Sequence, residues 1–331
     1  MKIVVLAGGV GGAKFLAGVK AHLGWPAVGP APDGAGDEIV AIVNTADDIR
    51  LHGLQICPDL DSCLYTLAGQ ADTERGWGRS GETWTVSEQL AGYGAEAPWF
   101  SLGDKDIATH LMRTRMLDAG YPLSAVTAAL AHRWQPGVTL LPMSDDRVET
   151  HVVVSDPGPG TEPPGLVALH FQEWWVRYRA GLVPQSISPI GAAEASPAPG
   201  VLAALANADL ILLAPSNPVV SIGTILAIPG IRTALRAAPA PVIAVAPLID
   251  GAPIRGHADV CLTAIGVDST AEAVGRHYAA RSADGIIDGY LVATGETADI
   301  PGVAVAAVPL LMTDPATTAA MVDACRRLAG V

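Results

Sequence analysis

Short apolar runs alternate with segments of helical spacing over most of this chain of 331 residues. The first set comprises an apolar run at residues 2–7, a glycine-rich turn at 8–12, helical spacing over 13–23 and a second apolar run at 38–43. Short apolar runs bounded by turn residues predict strands, and apolar positions at helical spacing predict a helix. A strand, a helix and a strand in this order require parallel strands joined by a right-handed crossover.

The same alternation returns in the last third of the chain. Residues 208–213 and 242–246 are apolar and predict buried strands, and short strands are expected at 286–290 and 303–308. Helical spacing is found at residues 221–227, 231–237, 270–280 and 315–328. Alternating strands and helices predict an α/β fold with a doubly wound, mostly parallel Rossmann-like sheet.

The middle of the chain differs in composition from both ends. Residues 70–185 hold six of the seven tryptophans, a helical pair at 107–119 and 123–132, and a strand-rich piece at 138–169. This change predicts an inserted smaller lobe at 70–185. The nucleotide-binding core is then expected to comprise residues 1–69 and 186–331.

Composition narrows the classes of function. Half of the residues are apolar and 16% are charged, so a large buried core is expected. No apolar run reaches the roughly 18 residues of a membrane span, and the four cysteines lack zinc-site spacing. A formal charge of −13 argues against a nucleic-acid partner, although a bound metal ion can still attract a small anionic substrate. We expect a cytoplasmic protein with reduced thiols and no membrane segment.

The glycine-rich turn is a candidate phosphate-binding element. It contains Gly8, Gly9, Gly11 and Gly12. Glycines between a strand and a helix let the backbone approach a ligand, and the N–H groups of the helix start point at it. The spacing matches neither the dinucleotide fingerprint, which requires glycine where Lys14 stands, nor the Walker loop. The alternative is that the glycines only permit tight packing of the helix on the strand.

Polar residues follow the second predicted strand. The block directly after it contains Asn44, Thr45, Asp47 and Asp48. In open α/β sheets ligands bind at this edge, and Asp61 returns to it if residues 60–67 form a helix running back along the sheet. Mg²⁺ binds through one or two carboxylates plus substrate phosphates. We therefore predict a metal-binding or catalytic role for Asp48 and Asp61.

Helix capping is a simpler role for several acidic residues, because a side-chain oxygen at a helix start accepts backbone N–H bonds. We assign Asp59 to capping. Asp104 or Asp106 is expected to cap the helix predicted at 107–119, where an acidic first turn also suits the helix dipole.

A second strand–loop–helix junction lies in the last third of the chain. Ser216 and Asn217 follow a predicted buried strand, and Ser221 and Gly223 belong to the first turn of the next helix. The junction can bind the base, ribose or phosphate of a nucleotide. Capping by Ser216 or Asn217 is the alternative.

Several sequence blocks together resemble the transferases that build coenzyme F-420. The resemblance is to the 2-phospho-L-lactate transferases, and most closely to their actinobacterial, phosphoenolpyruvate-transferring form. The blocks are LAGGVGGA (6–13), NTADD (44–48), CPDLD (57–61), LGDKDIATH (102–110), LPMSDD (141–146), HFQEWW (170–175), APSNPVVSIG (214–223) and PLLMT (309–313).

The resemblance implies a reaction between a guanosine diphospho-ester and the deazaflavin Fo. The terminal ribityl hydroxyl of Fo attacks the distal phosphorus, which carries enolpyruvate or lactate, and GMP is released. We expect the enolpyruvyl donor from overall resemblance, because the residue chemistry does not separate the two donors. Mg²⁺ and a homodimer are implied as well. Phosphoryl transfer requires mainly positioning and charge neutralisation, which the glycine turn and the aspartates can supply.

The resemblance also implies roles for individual residues. Donor binding is expected at Gly8, Gly9, Gly11, Gly12, Asn44, Thr45, Ser216, Asn217, Ser221 and Gly223. Acceptor binding is expected at Asp48, Trp84, Asp104, Lys105 and His110. Metal binding and catalysis are expected at Asp48 and Asp61, with Asp48 favoured as the proton acceptor.

Two other functions are weighed against this one. A non-enzymatic nucleotide-sugar sensor would share the glycine turn and the Ser-Asn-Pro block, but it should lack the aromatic lobe and the Cys-Pro-Asp-Leu-Asp block. A dinucleotide oxidoreductase should show a complete glycine fingerprint and an acidic residue at the end of the second strand. Asn44 and Thr45 stand there instead.

Overall fold

The computed structural model describes residues 1–95, 99–156, 158 and 165–331. Within them the strands are β1 (Lys2–Ala7), β2 (Glu38–Val43), β3 (Ile49–Leu51), β4 (Leu54–Ile56), β5 (Thr139–Pro142), β6 (Glu149–Ser155), β7 (Leu166–His170), β8 (Ser186–Ile190), β9 (Leu210–Leu213), β10 (Val242–Val245), β11 (Leu248–Ile249), β12 (Ala252–Pro253), β13 (Gly289–Ala293) and β14 (Ala304–Val308). The α-helices are α1 (Gly9–His22), α2 (Pro58–Leu67), α3 (Thr85–Gly92), α4 (Asp104–Asp118), α5 (Leu123–Trp134), α6 (Val201–Ala206), α7 (Ile222–Ala227), α8 (Ile231–Ala237), α9 (Ala258–Ala264), α10 (Ala271–Tyr278) and α11 (Pro315–Ala329).

Seven strands form a central sheet in the order β14-β13-β10-β9-β1-β2-β5. Every neighbouring pair in it is parallel. All residues of β9 and β10 are buried, as expected for parallel strands covered by helices on both faces. The predicted doubly wound α/β fold is confirmed. Chain order reverses between β1 and β9, which places a crevice at the carboxyl ends of these strands.

Most predicted elements of the core lie where the pattern placed them. The strand Glu38–Val43 and the helix Ile231–Ala237 agree at both ends. The glycine-rich turn is the main correction, because α1 already begins at Gly9. The Gly12 N–H donates to the Gly8 carbonyl at 3.2 Å, so the glycine segment closes the first helical turn. The strand predicted at 286–290 starts only at Gly289, since the N–H of Ile286 bonds the end of α10 instead.

The middle of the chain contributes strands to two different sheets. Strands β7, β6 and β8 form a separate antiparallel sheet, whose buried face packs around Trp174. In contrast, β5 pairs with β2 in the central sheet. The division at residues 70 and 185 stays a prediction, and residues 157 and 159–164 of the predicted strand-rich piece lie outside the described residues. Among the described helices, none is long and apolar enough to cross a membrane.

Helix α1 packs tightly against α11. A Cβ on Gly18 of α1 would lie 2.2 Å from Cγ2 of Thr318 in α11 and 3.0 Å from the Thr318 backbone carbon. Both residues are buried. The absence of a side chain at Gly18 therefore sets the distance between these two helices.

We predict that Gly18→Ala lowers the free energy of unfolding by about 1–3 kcal/mol, because overpacking outweighs the better helix propensity of alanine. Gly36→Ala is the matched control, since a Cβ on Gly36 meets nothing within 4 Å. Urea unfolding of the two variants measures the difference. Equal stability of both variants would contradict the packing argument.

Candidate active site

A cavity of about 650 Å³ opens at the carboxyl ends of β1, β2, β9 and β10. Its wall includes the start of α1, four aspartates and a group of aromatic side chains. The predicted site residues that line it are Gly8, Gly9, Gly11, Asp61, His110, Ser216, Asn217 and Ser221. Eight further residues that were predicted for the site are not among the described residues that line the cavity: Gly12, Asn44, Thr45, Asp48, Trp84, Asp104, Lys105 and Gly223.

The glycines at the start of α1 serve two different purposes. A Cβ on Gly8 would lie 2.6 Å from Cβ of Ser221, and one on Gly12 would lie 2.8 Å from Cβ of Ala7. These two glycines are required for close packing. Gly9 and Gly11 line the cavity, and Gly9 has a φ of +62° that favours glycine. The packing interpretation therefore holds for Gly8 and Gly12, whereas phosphate binding by Gly9 and Gly11 stays a prediction.

The Ser-Asn-Pro junction is bonded directly to the glycine segment. The hydroxyl of Ser216 donates to the Gly8 carbonyl at 2.8 Å and lies 3.0 Å from the Gly8 N–H, which donates to it. Asn217 caps its own loop, since its Oδ1 accepts from the N–H groups of Val219 and Val220. Gly223 has a packing role, because a Cβ there would lie 2.7 Å from the Pro218 carbonyl oxygen.

Asn44 links three segments below the cavity. Its Nδ2 donates to Asp59 Oδ2 at 2.9 Å and to the Val220 carbonyl at 3.2 Å. Its Oδ1 accepts from the Ala46 N–H and the Thr224 hydroxyl. The side chain is fully buried. Asn44 thus fixes the loop after β2 against α2 and α7.

Asp59 has a different role from the one predicted. The residue at the N-cap of α2 is Cys57, and no side chain caps this helix. Asp59 instead accepts from Asn44 and lines the cavity beside the glycine segment. A Cβ on Gly8 would lie 2.7 Å from its Oδ2. Capping was therefore the wrong assignment, because Pro58 shifts the helix start so that Asp59 faces the neighbouring loop.

Asp47 and Asp48 lie in the loop after β2 and differ in their relation to the cavity. Asp47 lines the cavity, whereas Asp48 lies behind the described lining. Its backbone carbonyl accepts from His170 Nε2 at 3.1 Å, and the Gln172 N–H donates to His170 Nδ1. Burial raises the pKa of Asp47 and of Asp48 well above the usual value, and neighbouring aspartates add to the shift. Burial also raises the pKa of Asp59 to about 6.

Asp61 is the ion-pair partner of a buried arginine. Arg113 Nη2 donates to Asp61 Oδ1, and Arg113 Nη1 lies 3.0 Å from His110 Nδ1. Burial disfavours the charged guanidinium, but Asp61 outweighs it and raises the pKa of Arg113. Burial lowers the pKa of His110 to about 4, so its ring is neutral at neutral pH.

Asp106 is an acidic residue of the cavity that sequence reasoning did not assign to the site. Either Asp104 or Asp106 was expected to cap α4, but Asp106 Oδ1 is buried without a partner among the described residues and its side chain lines the cavity. Burial and the nearby Asp61 raise the pKa of Asp106 to about 7. Asp104 caps another helix, since its carboxylate accepts from the Thr83 hydroxyl and the N–H of Val86 at the start of α3. Helix α4 begins at Asp104 itself, which is why neither aspartate reaches a cap position.

An aromatic wall completes the cavity. It consists of Trp77, Trp99, Phe100, Phe171 and Trp175. The ring of Trp84 packs on Trp77 with centroids 5.9 Å apart, and Lys105 Nζ donates to the Ser80 carbonyl at 2.8 Å. Acceptor binding by Trp84, Asp104 and Lys105 stays a prediction. The richness of the middle segment in tryptophan signalled this wall but did not indicate which rings face inward.

The acidic residues fit a divalent cation only in part. Within the described part of the chain, no three His, Cys, Asp or Glu side chains converge on a ready-made metal site. Nevertheless Asp47 Oδ1, Asp48 Oδ1 and Asp61 Oδ2 are buried without a hydrogen-bond partner. Mg²⁺ commonly uses one or two carboxylates and takes its other ligands from phosphates and water. The donor set therefore fits a cation that binds together with a phosphorylated ligand.

Comparison with solved structures supports the fold. A UPF0052-family protein from Bacillus halodurans superimposes with a TM-score of 0.59 over 98% of this chain and 99% of that one. The two sequences are 18% identical. At this identity the likeness concerns the fold alone.

Comparison with known sequences finds relatives that align with the whole length of this chain. A protein from Nocardia farcinica named phosphoenolpyruvate transferase is 62% identical, covering 100% of this chain and 95% of the relative. A protein of the same name from Mycobacterium avium is 58% identical, covering 100% and 99%. The family model for the 2-phospho-L-lactate transferase CofD matches residues 3–303. The chain is therefore a transferase and belongs to the 2-phospho-L-lactate transferase CofD family.

Proposed function

We propose that this transferase moves the phosphoenolpyruvyl group from enolpyruvyl-diphospho-5'-guanosine to Fo, giving dehydro coenzyme F-420-0 and GMP. Its similarity to the two proteins named phosphoenolpyruvate transferase supports the choice of donor. The observation that carries the proposal is a group of unpartnered carboxylate oxygens, those of Asp47, Asp61 and Asp106 in the wall of the cavity and that of Asp48 behind it; the glycine start of α1 lines the same cavity. Family resemblance supports action as a cytoplasmic homodimer.

The start of α1 suits the diphosphate of the donor. Gly9 and Gly11 line the cavity without side chains, and free N–H groups at a helix start attract phosphate. Lys14 follows on the same helix and lines the same wall. Ser216 fixes the glycine segment through its two bonds to Gly8. We assign donor binding to this wall.

Asp48 and Asp61 would hold Mg²⁺, which neutralises phosphate charge and orients the distal phosphorus when bound. Asp61 retains Oδ2 for this purpose while Oδ1 pairs with Arg113. Asp47 supplies a third unpartnered oxygen, on the cavity side. These carboxylates repel one another unless protons or cations neutralise them.

The reaction forms one phosphorus–oxygen bond and breaks another. The ribityl hydroxyl oxygen of Fo bonds to the distal phosphorus, and the bond from that phosphorus to the bridging oxygen breaks. The bridging oxygen leaves with GMP. The hydroxyl proton passes to a carboxylate. We assign this role to Asp48 in its ionised form, which is a stronger base because burial raises its pKa. Asp61 instead keeps its ion pair with Arg113.

The aromatic wall suits the flat ring of the acceptor. Trp77, Trp99, Phe100 and Trp175 offer faces or edges on which a deazaflavin can stack, a contact worth about 0.5–1.5 kcal/mol per ring. His110 lines the same cavity, with Nδ1 3.7 Å from Asp61 Oδ2, and its neutral ring can accept or donate a hydrogen bond. We assign acceptor binding to this side of the cavity.

Incubation with Fo, Mg²⁺ and each candidate donor tests the proposal. Mass spectrometry should show one phosphoenolpyruvyl group added to Fo and one GMP released. The lactyl donor in a parallel reaction tests the alternative. Asp48→Asn should reduce the rate at least about 100-fold, whereas Asp33→Asn, in an exposed loop, should not. No added mass with either donor would refute the transferase assignment for Fo, and normal turnover by Asp48→Asn would remove Asp48 from the mechanism.

The Asp61–Arg113 pair predicts separate effects on stability and activity. Asp61→Asn leaves the Arg113 charge buried without its partner, so we expect a loss of about 3 kcal/mol in the free energy of unfolding. Asp61→Asn combined with Arg113→Gln removes both charges and should recover most of that loss while transfer stays abolished. Urea unfolding and the transfer assay measure the two effects. Recovered transfer in the double variant would mean that Asp61 acts only as the partner of Arg113.

Metal binding predicts a stability effect that grows with pH. Because burial raises the pKa of Asp47, Asp48 and Asp59, the folded state holds protons that the unfolded state releases. Their contribution to stability is therefore full at low pH and is lost as pH rises through their folded pKa values, which for Asp59 is about 6. Mg²⁺ replaces these protons, so with GDP present it should raise Tm more at pH 8 than at pH 5. Calorimetry that finds the same gain at both pH values would contradict this account.

A further inference from the structure

We infer that Arg255 binds the carboxylate of the three-carbon acid carried by the donor, and so contributes to donor specificity. This inference rests on the proposed function. Neither the glycine segment nor the aspartates can bind this carboxylate. The glycine segment is assigned to the phosphates of the donor, and the aspartates are themselves anionic. Arg255 lies in the loop after β12, which is remote in sequence from both.

The side chain of Arg255 lies in the wall of the cavity, next to Gly76. Its side chain lines the cavity, and its guanidinium lies against the backbone of Gly76. A Cβ added to Gly76 would come within 2.3 Å of Nη1 and 2.7 Å of Nη2 of Arg255. Gly76 also has a φ of +76°. The guanidinium can therefore approach this backbone only because residue 76 is glycine.

Aromatic contacts hold the loop that carries Arg255. A Cβ on Gly256 would lie 2.9 Å from Cη2 of Trp175, so the loop backbone rests on this ring. The ring of His257 meets Trp175 edge to face with centroids 5.1 Å apart. Trp175 in turn packs on Phe171. The arginine is thus carried by a loop with packed neighbours on the cavity side.

The guanidinium has no protein partner within the described ranges. Arg75, which is next to Gly76, pairs with Asp72 at 2.5 Å, and the buried Arg113 pairs with Asp61. Neither an ion pair nor a hydrogen bond joins the Arg255 side chain to any described residue. No described residue therefore occupies its donors, which can bind a ligand in the cavity.

Charge balance indicates which part of the donor Arg255 contacts. The lining contains four aspartates, namely Asp47, Asp59, Asp61 and Asp106, and, besides two histidines, two basic residues, Lys14 and Arg255. Lys14 stands on α1 beside the glycine segment and serves the diphosphate. A carboxylate on the donor adds a further negative charge, which is stable in the cavity only if a cation pairs with it. The planar fork of arginine matches a carboxylate with two parallel hydrogen bonds.

The test compares the donor with GDP, which carries the nucleotide and both phosphates but lacks the acid. Calorimetric titration of Arg255→Gln should show a Kd for the enolpyruvyl donor raised about 10- to 100-fold and a Kd for GDP changed less than about 2-fold. Arg255→Lys should give an intermediate loss for the donor, because it keeps the charge but not the fork. Arg327→Gln, an exposed arginine in α11, makes the same charge change and should bind both ligands normally.

A second pair of variants tests the contact between Arg255 and Gly76 without removing the arginine. Gly76→Ala displaces the guanidinium and should weaken donor binding in the same selective way as Arg255→Gln. Gly24→Ala is the control for backbone strain, since Gly24 has a φ of +73° and a Cβ there meets nothing within 4 Å. Thermal unfolding of all variants checks that they fold.

Three results would overturn the assignment. An equal loss of affinity for GDP and donor would make Arg255 a phosphate ligand, and a change only in the KM of Fo would make it an acceptor residue. Unchanged binding of both ligands by Arg255→Gln would make it a surface residue. The transfer assay with the unmodified protein is read separately. Selective binding of the donor without transfer would support Arg255 and refute the proposed reaction.

Discussion

The ion pair between Asp61 and Arg113 is the interaction on which the site depends. It lies where α2 and α4 meet, and Arg113 also contacts His110 and the Gln55 carbonyl of β4. A single buried cation therefore joins three elements and neutralises one carboxylate of the acidic group. Removing charges from water is costly, so a buried arginine with one strong partner fixes the relative positions of these elements.

The other aspartates remain without a cation of their own among the described residues. Burial raises the pKa values of Asp47, Asp48, Asp59 and Asp106, which means that the folded protein tolerates these groups better protonated than ionised. A cation that arrives with a phosphorylated ligand would relieve the same cost. This electrostatic imbalance is the physical reason for proposing that a metal ion binds together with the substrate.

The parallel sheet brings this group together. Residues after β1, β2, β9 and β10 meet at one edge because all four strands run in the same direction. Contacts such as the hydroxyl of Thr224 on Asn44 Oδ1 at 2.7 Å then bond segments 180 residues apart. Close packing at Gly8 and Gly12 lets α1 start directly at this edge. The cavity is consequently a property of the strand order as much as of any single motif.

The sequence by itself determined the fold class, the parallel core strands and the general place of the site, because these follow from local periodicity and from the carboxyl-end rule for open sheets. It also pointed to Gly9, Gly11, Asp61 and Ser216, which line the cavity.

Only the tertiary structure decided which side chains face inward. Asp59 was predicted as a helix cap and Asp106 was one of two candidates for another, yet both line the cavity, because the helix starts at Pro58 and Asp104 leave them facing neighbouring segments. Arg255 is far in sequence from the glycine segment and the aspartates, and its guanidinium lies against Gly76 in the cavity wall. Side-chain direction and contacts between distant loops depend on packing, and local sequence patterns do not encode them.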